Sequence, residues 1–449
     1  MHPEGMYPRT LVINADAIHQ GSGTGITVAN LFGGWPPDRL AQLYLNRGEI
    51  RGDAGCARTW RLEFVKDRVP GWRLVQKCWL PGGKRIPPAS PDPGARGPAI
   101  PRLRGTVRTL LDPVPYRLSP DLLGEIRAFA PEAIYSCIGN MQLASLVDRL
   151  SRREGAATVV HLMDDWLATK HTDSWIWGWH RYRLVRLSSD LLRRATACLA
   201  ISSQMAQEYA KVFGRPFGVF MNCVALNGAD EPAPPAPHPD EPVRFVYVGG
   251  LHLGRWQSLV EIGEALEGME GRLILHAPAA DLDAYARGVG LPRSMEIGNP
   301  LPPDEVRPVL RQADVAVHVE SFGGAERRYT RLSVSTKIPQ YMAAGRPILA
   351  YGPGDVASCQ YVSAAGCGVV VGRRDRRDLT GGLCRLSTDA GLRAELGRQA
   401  WCTALRHHHA ETVRERFRLV VADAARTHRA GAGETAAAGY GGGNHGSTS

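Results

Sequence analysis

The sequence predicts an α/β protein of two Rossmann-like domains, and three observations support this prediction. Apolar strand-like segments alternate with helix-like segments in both halves of the chain, which indicates parallel sheets covered by helices. The 449 residues exceed what one hydrophobic core usually holds. Between the two series lies segment 227–242, which is polar and rich in proline, and we interpret it as an interdomain linker.

Composition and charge narrow the classes of partner. The formal net charge of +10 favours anionic ligands, but no Lys/Arg block alternates with aromatic residues, so a nucleic-acid partner is not expected. The nine cysteines form no C-x-x-C pair, which indicates reduced thiols in the cytosol. Residues 407–409 are three successive histidines that would point about 100° apart on a helix, so no metal site is expected there.

The chain carries no sign of membrane insertion. No apolar run approaches the ~20 residues that are needed to cross a bilayer, and the N-terminus has no signal-peptide core. We therefore expect a cytoplasmic protein, either free or in peripheral contact with the inner face of the membrane.

The first half opens with a strand at 10–13, and a glycine cluster at 21–25 follows it. A buried helix is expected from Ile26 onward. A glycine-rich turn between strand and helix lets the backbone approach a ligand and offers helix N-terminal N–H groups to a phosphate or a hydroxyl. A flexible loop would show the same pattern, so Gly23 and Gly25 are candidate contacts on weak grounds.

The rest of the first half continues the alternation. Ser119 is the expected N-cap of a helix that has Pro120 in its first turn. Segment 70–118 is rich in proline and glycine and is either an irregular insertion or loosely ordered. The other expected elements are strands at 39–45, 133–137, 158–163, 197–201 and 217–222, and helices at 118–130, 140–152 and 202–213.

Polar residues lie at the end of the strand at 158–163. They are His161, Asp164 and Asp165. Ligands of parallel sheets bind at the carboxyl ends of the strands, where a histidine could deprotonate a hydroxyl and a carboxylate could bind sugar hydroxyls. The alternative is a histidine that is satisfied by local hydrogen bonds and an aspartate that caps the next helix.

Segment 171–190 combines aromatic residues with arginines. Trp175, Trp177 and Trp179 stand beside Arg183 and Arg186. This mixture suits a membrane interface or the site of a lipid-linked acceptor. A spacing of two between tryptophans does not make one helical face, so a packed surface cluster is the alternative.

The second half repeats the alternation. A buried strand at 243–248 ends at Gly249 and Gly250, and a strand at 315–319 ends at Glu320. A low-complexity tail that begins at Ala430 is predicted to be disordered. The other expected elements are helices at 256–266 and 303–312, strands at 271–276, 295–297, 348–351 and 368–372, and a helical tract at 391–427 that is broken near the histidines.

These elements predict the domain boundaries. The first domain is expected at 1–226 and the second at 243–405. The segment 406–429 is interpreted as a C-terminal helix that packs back on the first domain, and 430–449 as the tail.

The stretch 320–347 is the centre of the predicted site. Glu320 and a glycine turn follow the strand, an arginine-rich loop comes next, and a helix then begins near Lys337. Free backbone N–H groups and a lysine at such a point suit an anionic ligand such as a diphosphate. An ordinary strand–loop–helix with solvated arginines is the alternative.

From Val246 to about Phe417 the chain resembles the second domain of GT-B glycosyltransferases, especially the retaining, family-4-like enzymes. The matching pieces are VYVGGL with Arg255, the run at 313–315, ESFG at 320–323 and STKIPQYMAAGRPILAYGP at 335–353. The first half matches through GSGTGITVANLF and VVHLMDDW. The resemblance implies two Rossmann-like domains that face each other across a cleft, and a glycosyltransferase that uses a nucleotide-sugar.

The resemblance also implies roles for residues. Arg255 and Lys337 would neutralise the donor diphosphate, Glu320 would bind the donor sugar, and His161 would lie at the sugar–acceptor junction. No metal or other cofactor is implied, because protein cations would take the place of magnesium. Donor contacts are expected from Gly23, Gly25, Gly249, Gly250, Ser321, Phe322, Gly323, Ser335, Thr336 and Gln340, and acceptor contacts from Asp164 and Asp165.

Two features depart from the family pattern. Gln340 stands where these enzymes usually have a glutamate that holds the nucleotide ribose, and it lacks the charge that strengthens such a contact. Residues 325–331 are an arginine-rich insertion that either adds a phosphate contact or covers the site.

The implied function is sugar transfer, with retention at the anomeric carbon, to a hydroxyl acceptor in polysaccharide, glycolipid or glycosylated-metabolite biosynthesis. Two alternatives stay open. One is a nucleotide-sugar epimerase on the same architecture, which would turn over the donor without an acceptor. The other is a GT-B-like protein that binds without catalysis, which Gln340 makes conceivable.

Overall fold

The computed structural model describes residues 6–18, 23–45, 55–63, 114–172, 177–226, 241–288 and 290–440. Most of the Pro/Gly-rich segment and most of the predicted linker lie outside the described residues, as do the start of the glycine cluster and Trp175. The described residues form two α/β units, and each is built on one parallel sheet.

Seven parallel strands build the first sheet. They are β1 (Thr10–Asn14), β2 (Leu40–Tyr44), β3 (Arg58–Arg61), β4 (Ala133–Cys137), β5 (Ala157–Leu162), β6 (Ala197–Ala200) and β7 (Gly218–Val219). Their order across the sheet is β3-β2-β1-β4-β5-β6-β7. The direction of strand addition therefore reverses between β1 and β4, which is where ligands approach the carboxyl ends of such a sheet.

The helices of the first unit begin where the sequence supplies caps. Ser119 Oγ accepts a hydrogen bond from Leu122 N, and Ser202 Oγ accepts one from Met205 N. The first helix starts at Gly23, three residues before the predicted start. The helices are α1 (Gly23–Leu31), α2 (Pro120–Phe129), α3 (Met141–Glu154), α4 (Trp166–Thr169), α5 (Gly178–Arg194) and α6 (Ser203–Phe213).

The last strand of the first sheet is shorter than the prediction of 217–222. Only Gly218 and Val219 form β7, because the chain then leaves the sheet edge. Val224 N donates to His408 O, and Ala410 N donates to Val224 O, so the segment pairs with a later part of the chain instead. This pairing joins the two units.

Six parallel strands build the second sheet, in the order β10-β9-β8-β11-β12-β13. They are β8 (Val243–Val248), β9 (Gly271–His276), β10 (Met295–Ile297), β11 (Val315–Val319), β12 (Ile348–Tyr351) and β13 (Gly368–Val371). Helices cover both faces, because Val315 and Ala316 are fully buried in two different core clusters. The helices are α7 (Arg255–Leu266), α8 (Ala279–Tyr285), α9 (Pro303–Gln312), α10 (Gly324–Thr330), α11 (Lys337–Ala343), α12 (Ala357–Ala364) and α13 (Arg376–Thr388).

Two C-terminal helices connect the units. Helix α14 (Ala390–His407) packs on the second unit against α11, and the chain turns at His408. Helix α15 (Ala410–Tyr440) then lies against the first sheet, where Phe417 contacts the rings of Phe32, Tyr135 and Phe220. The break in the helical tract falls at the histidines, where the sequence placed it.

Several segments differ from the sequence-based expectations. The arginine-rich loop at 325–331 is mostly the helix α10, and α4, α5, α8, α12 and α13 were not predicted. Helix α15 continues to Tyr440, into the tail for which composition predicted disorder; alanine, which is abundant there, has the highest helix propensity. Within the described part of the chain, every helix is too short or too polar to span a bilayer.

Candidate functional site

The candidate site lies where the two units meet, at the carboxyl ends of β8, β11 and β5. Gly249 follows β8, Glu320 follows β11, and Asp164 comes shortly after β5. Arg255 and Lys337 are both buried, and the charge of Arg255 acts to lower the pKa of Lys337, so the two basic side chains lie in the same region. The electrostatic influence of Asp164 on Arg255 shows that the carboxylate of the first unit reaches the cations of the second.

Arg255 is the first residue of α7, and its side chain is only 12% exposed. One guanidinium nitrogen lies 4.0 Å from Glu320 Oε2, which is the outer limit of an ion pair. Burial acts to lower the pKa of Arg255, but the surrounding acidic groups, of which Glu320 has the largest effect, together outweigh it and raise the pKa. Nε of Arg255 has no hydrogen-bond partner among the residues that the structure describes. A buried donor without a partner is costly, so this geometry favours an anionic ligand.

Lys337 is held by an aromatic side chain of β8. Its Nζ donates a 2.7 Å hydrogen bond to the hydroxyl of Tyr247 and lies 4.3 Å from the centre of that ring. The Tyr247 hydroxyl in turn donates to the Gly250 carbonyl at 2.5 Å. Burial, and secondly the charge of Arg255, lower the pKa of Lys337 well below its ordinary value. Two buried cations therefore repel each other at this point.

Glycines make room for this arrangement. Gly249 has a φ of 147°, and a Cβ at that position would overlap the end of the Lys337 side chain. A Cβ at Gly254, whose φ is 70°, would lie 2.5 Å from Ser321 Oγ, and one at Gly250 would lie 2.7 Å from His252. The glycines after β8 thus provide space for side chains of the site.

Glu320 is 3% exposed and is the central acid of the cluster. Its Oε1 lies 3.1 Å from His318 Nε2 and accepts a hydrogen bond of 3.4 Å from Ser358 Oγ. Burial acts to raise the pKa of Glu320, but the contact with His318 and the charges of Arg255 and Lys337 outweigh it and lower the pKa to about 2. Glu320 is therefore ionised at neutral pH.

This lowered pKa predicts a contribution to acid stability. Because the pKa is about 2 in the fold against an ordinary 4.5, the contribution is complete above 4.5 and disappears as the pH falls towards 2. We expect the difference in free energy of unfolding between wild type and Glu320→Gln to shrink by about 3 kcal/mol over this range. Urea unfolding at several pH values measures it, with Glu326→Gln, a change outside the buried cluster, as control. A difference in free energy of unfolding that stays the same between pH 4.5 and pH 2 would contradict the prediction.

Among the residues that the structure describes, Asp164 is the carboxylate of the first unit that reaches the site. Asp164 accepts hydrogen bonds of 3.2 Å from both Tyr329 and Ser333, which belong to the second unit. Burial raises the pKa of Asp164, with smaller opposing effects from these hydroxyls and from Arg255. Asp165 points elsewhere: it accepts a 2.6 Å bond from the Tyr209 hydroxyl and lies 3.5 Å from Arg331. Asp165 therefore supports the contact between the units rather than the open side of the site.

His161 is not part of this cluster. Its side chain is fully buried in the core of the first unit, where Nδ1 shares a 2.7 Å hydrogen bond with the Tyr135 hydroxyl. Burial lowers its pKa to about 4, so the ring is neutral at physiological pH. The sequence placed His161 near the end of a strand correctly, but strand alternation turns this side chain towards α15 and the core. The structure thus corrects its expected place at the sugar–acceptor junction.

Three backbone N–H groups of the site donate to side-chain oxygens. Gly323 N donates to Ser321 Oγ at 3.0 Å, Ser335 N donates to Ser358 Oγ at 3.1 Å, and Lys337 N donates to Ser335 Oγ at 3.5 Å. These three N–H groups are engaged within the protein, and Arg255 and Lys337 supply positive side-chain charge beside them.

Other predicted contacts take different places around the site. The Phe322 ring packs on Tyr351, with ring centres 5.0 Å apart. Gln340 is half-buried, one turn after Lys337 on α11. A Cβ at Gly23 would lie 3.5 Å from Thr336 Oγ1, so α1 begins beside the donor-side loop, with Gly25 buried in its first turn.

Comparison with known proteins shows the fold. The sequence matches no protein-family profile and no curated protein. Among solved structures, the chain resembles HepE of Anabaena, crystallised with UDP, at a TM-score of 0.62 and 12% identity over 92% of this chain and 100% of that one. It also resembles sucrose-phosphate synthase of Thermosynechococcus elongatus, at a TM-score of 0.55 and 14% identity over 90% of this chain and 96% of that one. The chain has the GT-B fold.

A third GT-B structure adds to this result. WaaG, a glycosyltransferase involved in lipopolysaccharide biosynthesis, matches at a TM-score of 0.51 and 11% identity over 91% of this chain and 99% of that one. The prediction of two Rossmann-like domains across a cleft is confirmed. Identities this low show the GT-B fold alone, so the chemistry has to be argued from the residues of the cleft.

Four residues that contact the candidate site were not named in the sequence analysis. Tyr247 and His318 lie inside buried strands and resemble ordinary core residues in sequence. Tyr329 lies in the arginine-rich insertion and Ser333 in the loop just after it, where the charged residues drew attention. One signal was present: a polar residue in an otherwise apolar strand, such as His318 in VAVHV, costs free energy unless it has a buried partner.

Proposed function

We propose that this protein is a glycosyltransferase that moves a sugar from a nucleotide-sugar to a hydroxyl acceptor with retention of anomeric configuration. The observation that carries the proposal is the buried pair of Arg255 and Lys337 in the cleft, with Nε of Arg255 unpartnered and Glu320 close by. A diphosphate supplies the negative charge and acceptor oxygens that this pair lacks.

The residues divide the reaction between them. Arg255 and Lys337 bind the diphosphate and stabilise its charge as the bond from the anomeric carbon to the phosphate oxygen breaks. Glu320, which is ionised and lies 3.1 Å from His318 Nε2, accepts hydrogen bonds from hydroxyls of the donor sugar. Asp164 faces them from the other domain and orients the incoming hydroxyl, whose proton leaves to the departing phosphate.

We propose that the residues around the donor include most of the donor contacts that the sequence predicts. Gly249 and Gly250 admit Lys337 and His252, and Ser321, Phe322 and Gly323 form the turn after Glu320. Ser335 and Thr336 precede Lys337 at the start of α11, and Gln340 follows it by about one turn. No cofactor is proposed, since the two protein cations hold the charge for which other enzymes use a metal ion.

A thermal-shift screen tests the proposal. UDP-glucose is the first probe because HepE was crystallised with UDP-glucose, and GDP-, ADP- and dTDP-sugars follow. A ligand present at about 100 times its dissociation constant should stabilise the fold by ~2.7 kcal/mol. Loss of this shift in Arg255→Ala, with Arg287→Ala on the surface as matched control, would place the ligand in the cleft. If no nucleotide-sugar stabilises the protein, the proposed function is wrong.

We also propose that the protein works at the cytoplasmic face of a membrane, on a glycan or lipid-linked acceptor. The support is one face of α5. Trp179 and Tyr182 are 56% and 60% exposed, and the Arg183 guanidinium lies 4.8 Å from the centre of the Trp179 ring. With Arg186 these residues are spaced three and four apart, so they share a helix face. Aromatic and basic residues together suit the head-group region of anionic lipid.

The membrane proposal makes its own prediction. Trp179→Ala with Tyr182→Ala should reduce co-sedimentation with phosphatidylglycerol vesicles at least fivefold, since each aromatic side chain contributes about 1 kcal/mol or more at the interface. Val212→Ala, which removes an exposed apolar residue on α6, is the control. Two results would contradict membrane contact through this face. One is equal binding by the Trp179/Tyr182 double variant and by Val212→Ala, and the other is wild-type binding to neutral phosphatidylcholine vesicles that equals its binding to phosphatidylglycerol vesicles.

A further inference from the structure

The arginine-rich insertion joins the two domains. We define the bridging segment as residues 324–336, which comprise α10 and the loop to α11. It belongs to the second domain in sequence, yet Leu332 is 4% exposed and packs in the core of the first domain. Because the bridging segment connects Glu320 to Lys337, its contacts with the first domain fix both ends of the proposed donor site.

Hydrogen bonds anchor the backbone of the bridging segment to the first domain. Ser202 Oγ donates to Leu332 O at 2.6 Å, and Asn222 Nδ2 donates to Thr336 O at 3.0 Å. Asp165 N donates to Tyr329 O at 3.3 Å. Two of the three arginines of the segment pair with carboxylates other than Glu320: Arg327 with Asp355, and Arg331 with Asp165.

The anchoring places two hydroxyls on one carboxylate. Tyr329 donates to Oδ2 of Asp164, and Ser333 donates to Oδ1, each at 3.2 Å. Both oxygens of Asp164 are therefore held by side chains of the opposite domain. One hydrogen bond to each oxygen fixes the plane of a carboxylate and leaves a second lone pair of each oxygen for another donor.

We propose that Tyr329 and Ser333 are positioning residues, through which the second domain orients Asp164 towards the incoming hydroxyl of the acceptor. This inference rests on the proposed function. The bridging segment then has a role other than phosphate binding. It belongs to the donor-binding domain but completes the acceptor site of the first domain. The acceptor site is then assembled only when the two domains are in contact, so that in the open state Asp164 is not positioned to direct water at the donor sugar.

The charges around Asp164 allow a pH test. The groups that face it are Arg255 of α7, Glu320 after β11 and Cys137 of β4, besides the two hydroxyls. Burial raises the pKa of Asp164, and the hydrogen bonds from Ser333 and Tyr329 act to lower it. Their removal should raise the pKa further, so that the carboxylate becomes protonated at a higher pH and the acid limb of the rate profile moves upward.

The experiment compares Tyr329→Phe, Ser333→Ala and the double variant in turnover of UDP-glucose, or of the nucleotide-sugar that the thermal-shift screen identifies. Each single variant should lower kcat about 3- to 10-fold, and the double variant should lower it more. The dissociation constant of UDP, measured by calorimetry, should change less than about twofold, because neither hydroxyl contacts the cations. Ser333→Thr keeps the hydroxyl and should restore kcat, and Ser363→Ala on the surface of α12 is the matched control.

Two results would overturn the inference. One is an unchanged acid limb in both single variants, and the other is a loss of UDP affinity that equals the loss of kcat, which would assign the hydroxyls to donor binding. If Tyr329→Phe fails to fold, Ser333→Ala decides alone. A wild-type protein that binds no nucleotide-sugar refutes the proposed function itself, and this outcome is visible before any variant is measured.

Discussion

Replacement of Lys337 by methionine should lower kcat/KM for nucleotide-sugar turnover about 10³-fold without weakening the fold. The loss equals ~4 kcal/mol of transition-state stabilisation, a size measured when one preorganised group is removed from a developing anion. Turnover is followed as release of the nucleoside diphosphate. Methionine keeps the length and apolar character of the lysine stem, so the comparison isolates the ammonium group.

The fold should tolerate this change because the lysine charge is unfavourable in the empty cleft. Burial and the nearby Arg255 both lower the pKa of Lys337, which means that its charged form is destabilised there. An apolar residue of similar volume removes this cost, so the free energy of unfolding should stay equal or rise. Such a site gives up stability for function, as expected where a protein holds charge ready for a ligand.

A matched control separates the cleft from general effects of charge. Lys211→Met removes an exposed lysine on α6 and should leave both turnover and stability unchanged. Activity that survives Lys337→Met would show that the cation pair does not stabilise the leaving group. A marked loss of stability would instead show that Lys337 is a structural residue held by Tyr247.

Most of the fold could be predicted because its signals are local. The strand VVHLM, the helix capped by Ser119 and the buried strand before Gly249 each show a period or a cap within a few residues. Helix α10 was missed, because its arginines suggested a solvated loop. The segment that contains it is held by Leu332, just after the helix, which packs in the core of the other domain. Such tertiary contacts override local propensity.

The site was predictable only in part, for the same reason. Arg255, Glu320 and Lys337 were found through motifs, and the structure brings them together. The direction of a strand side chain depends on the register of the sheet, so His161 could not be assigned to the core from the sequence. Tyr247 and Ser333 act through contacts with residues about 90 and 169 positions away, which no local pattern encodes.

Gly249→Ala should reduce turnover by at least about 10²-fold through the side chain of Lys337. The added Cβ would occupy the space of Cε and Nζ, so the lysine has to leave its bond to Tyr247. A misplaced catalytic group costs a factor of this order. The φ of 147° is also unfavourable for alanine, so stability should fall by about 1–3 kcal/mol, measured by urea unfolding.

A double-mutant cycle tests whether the effect of Gly249→Ala passes through Lys337. If alanine acts only by displacing the lysine, then Gly249→Ala combined with Lys337→Met should turn over no more slowly than Lys337→Met alone. Gly381→Ala, in an open position on α13, is the control and should be neutral in turnover. Additive losses would contradict the mechanism, because they would mean that Gly249 contributes to the site independently, for example by direct approach of its backbone to the donor.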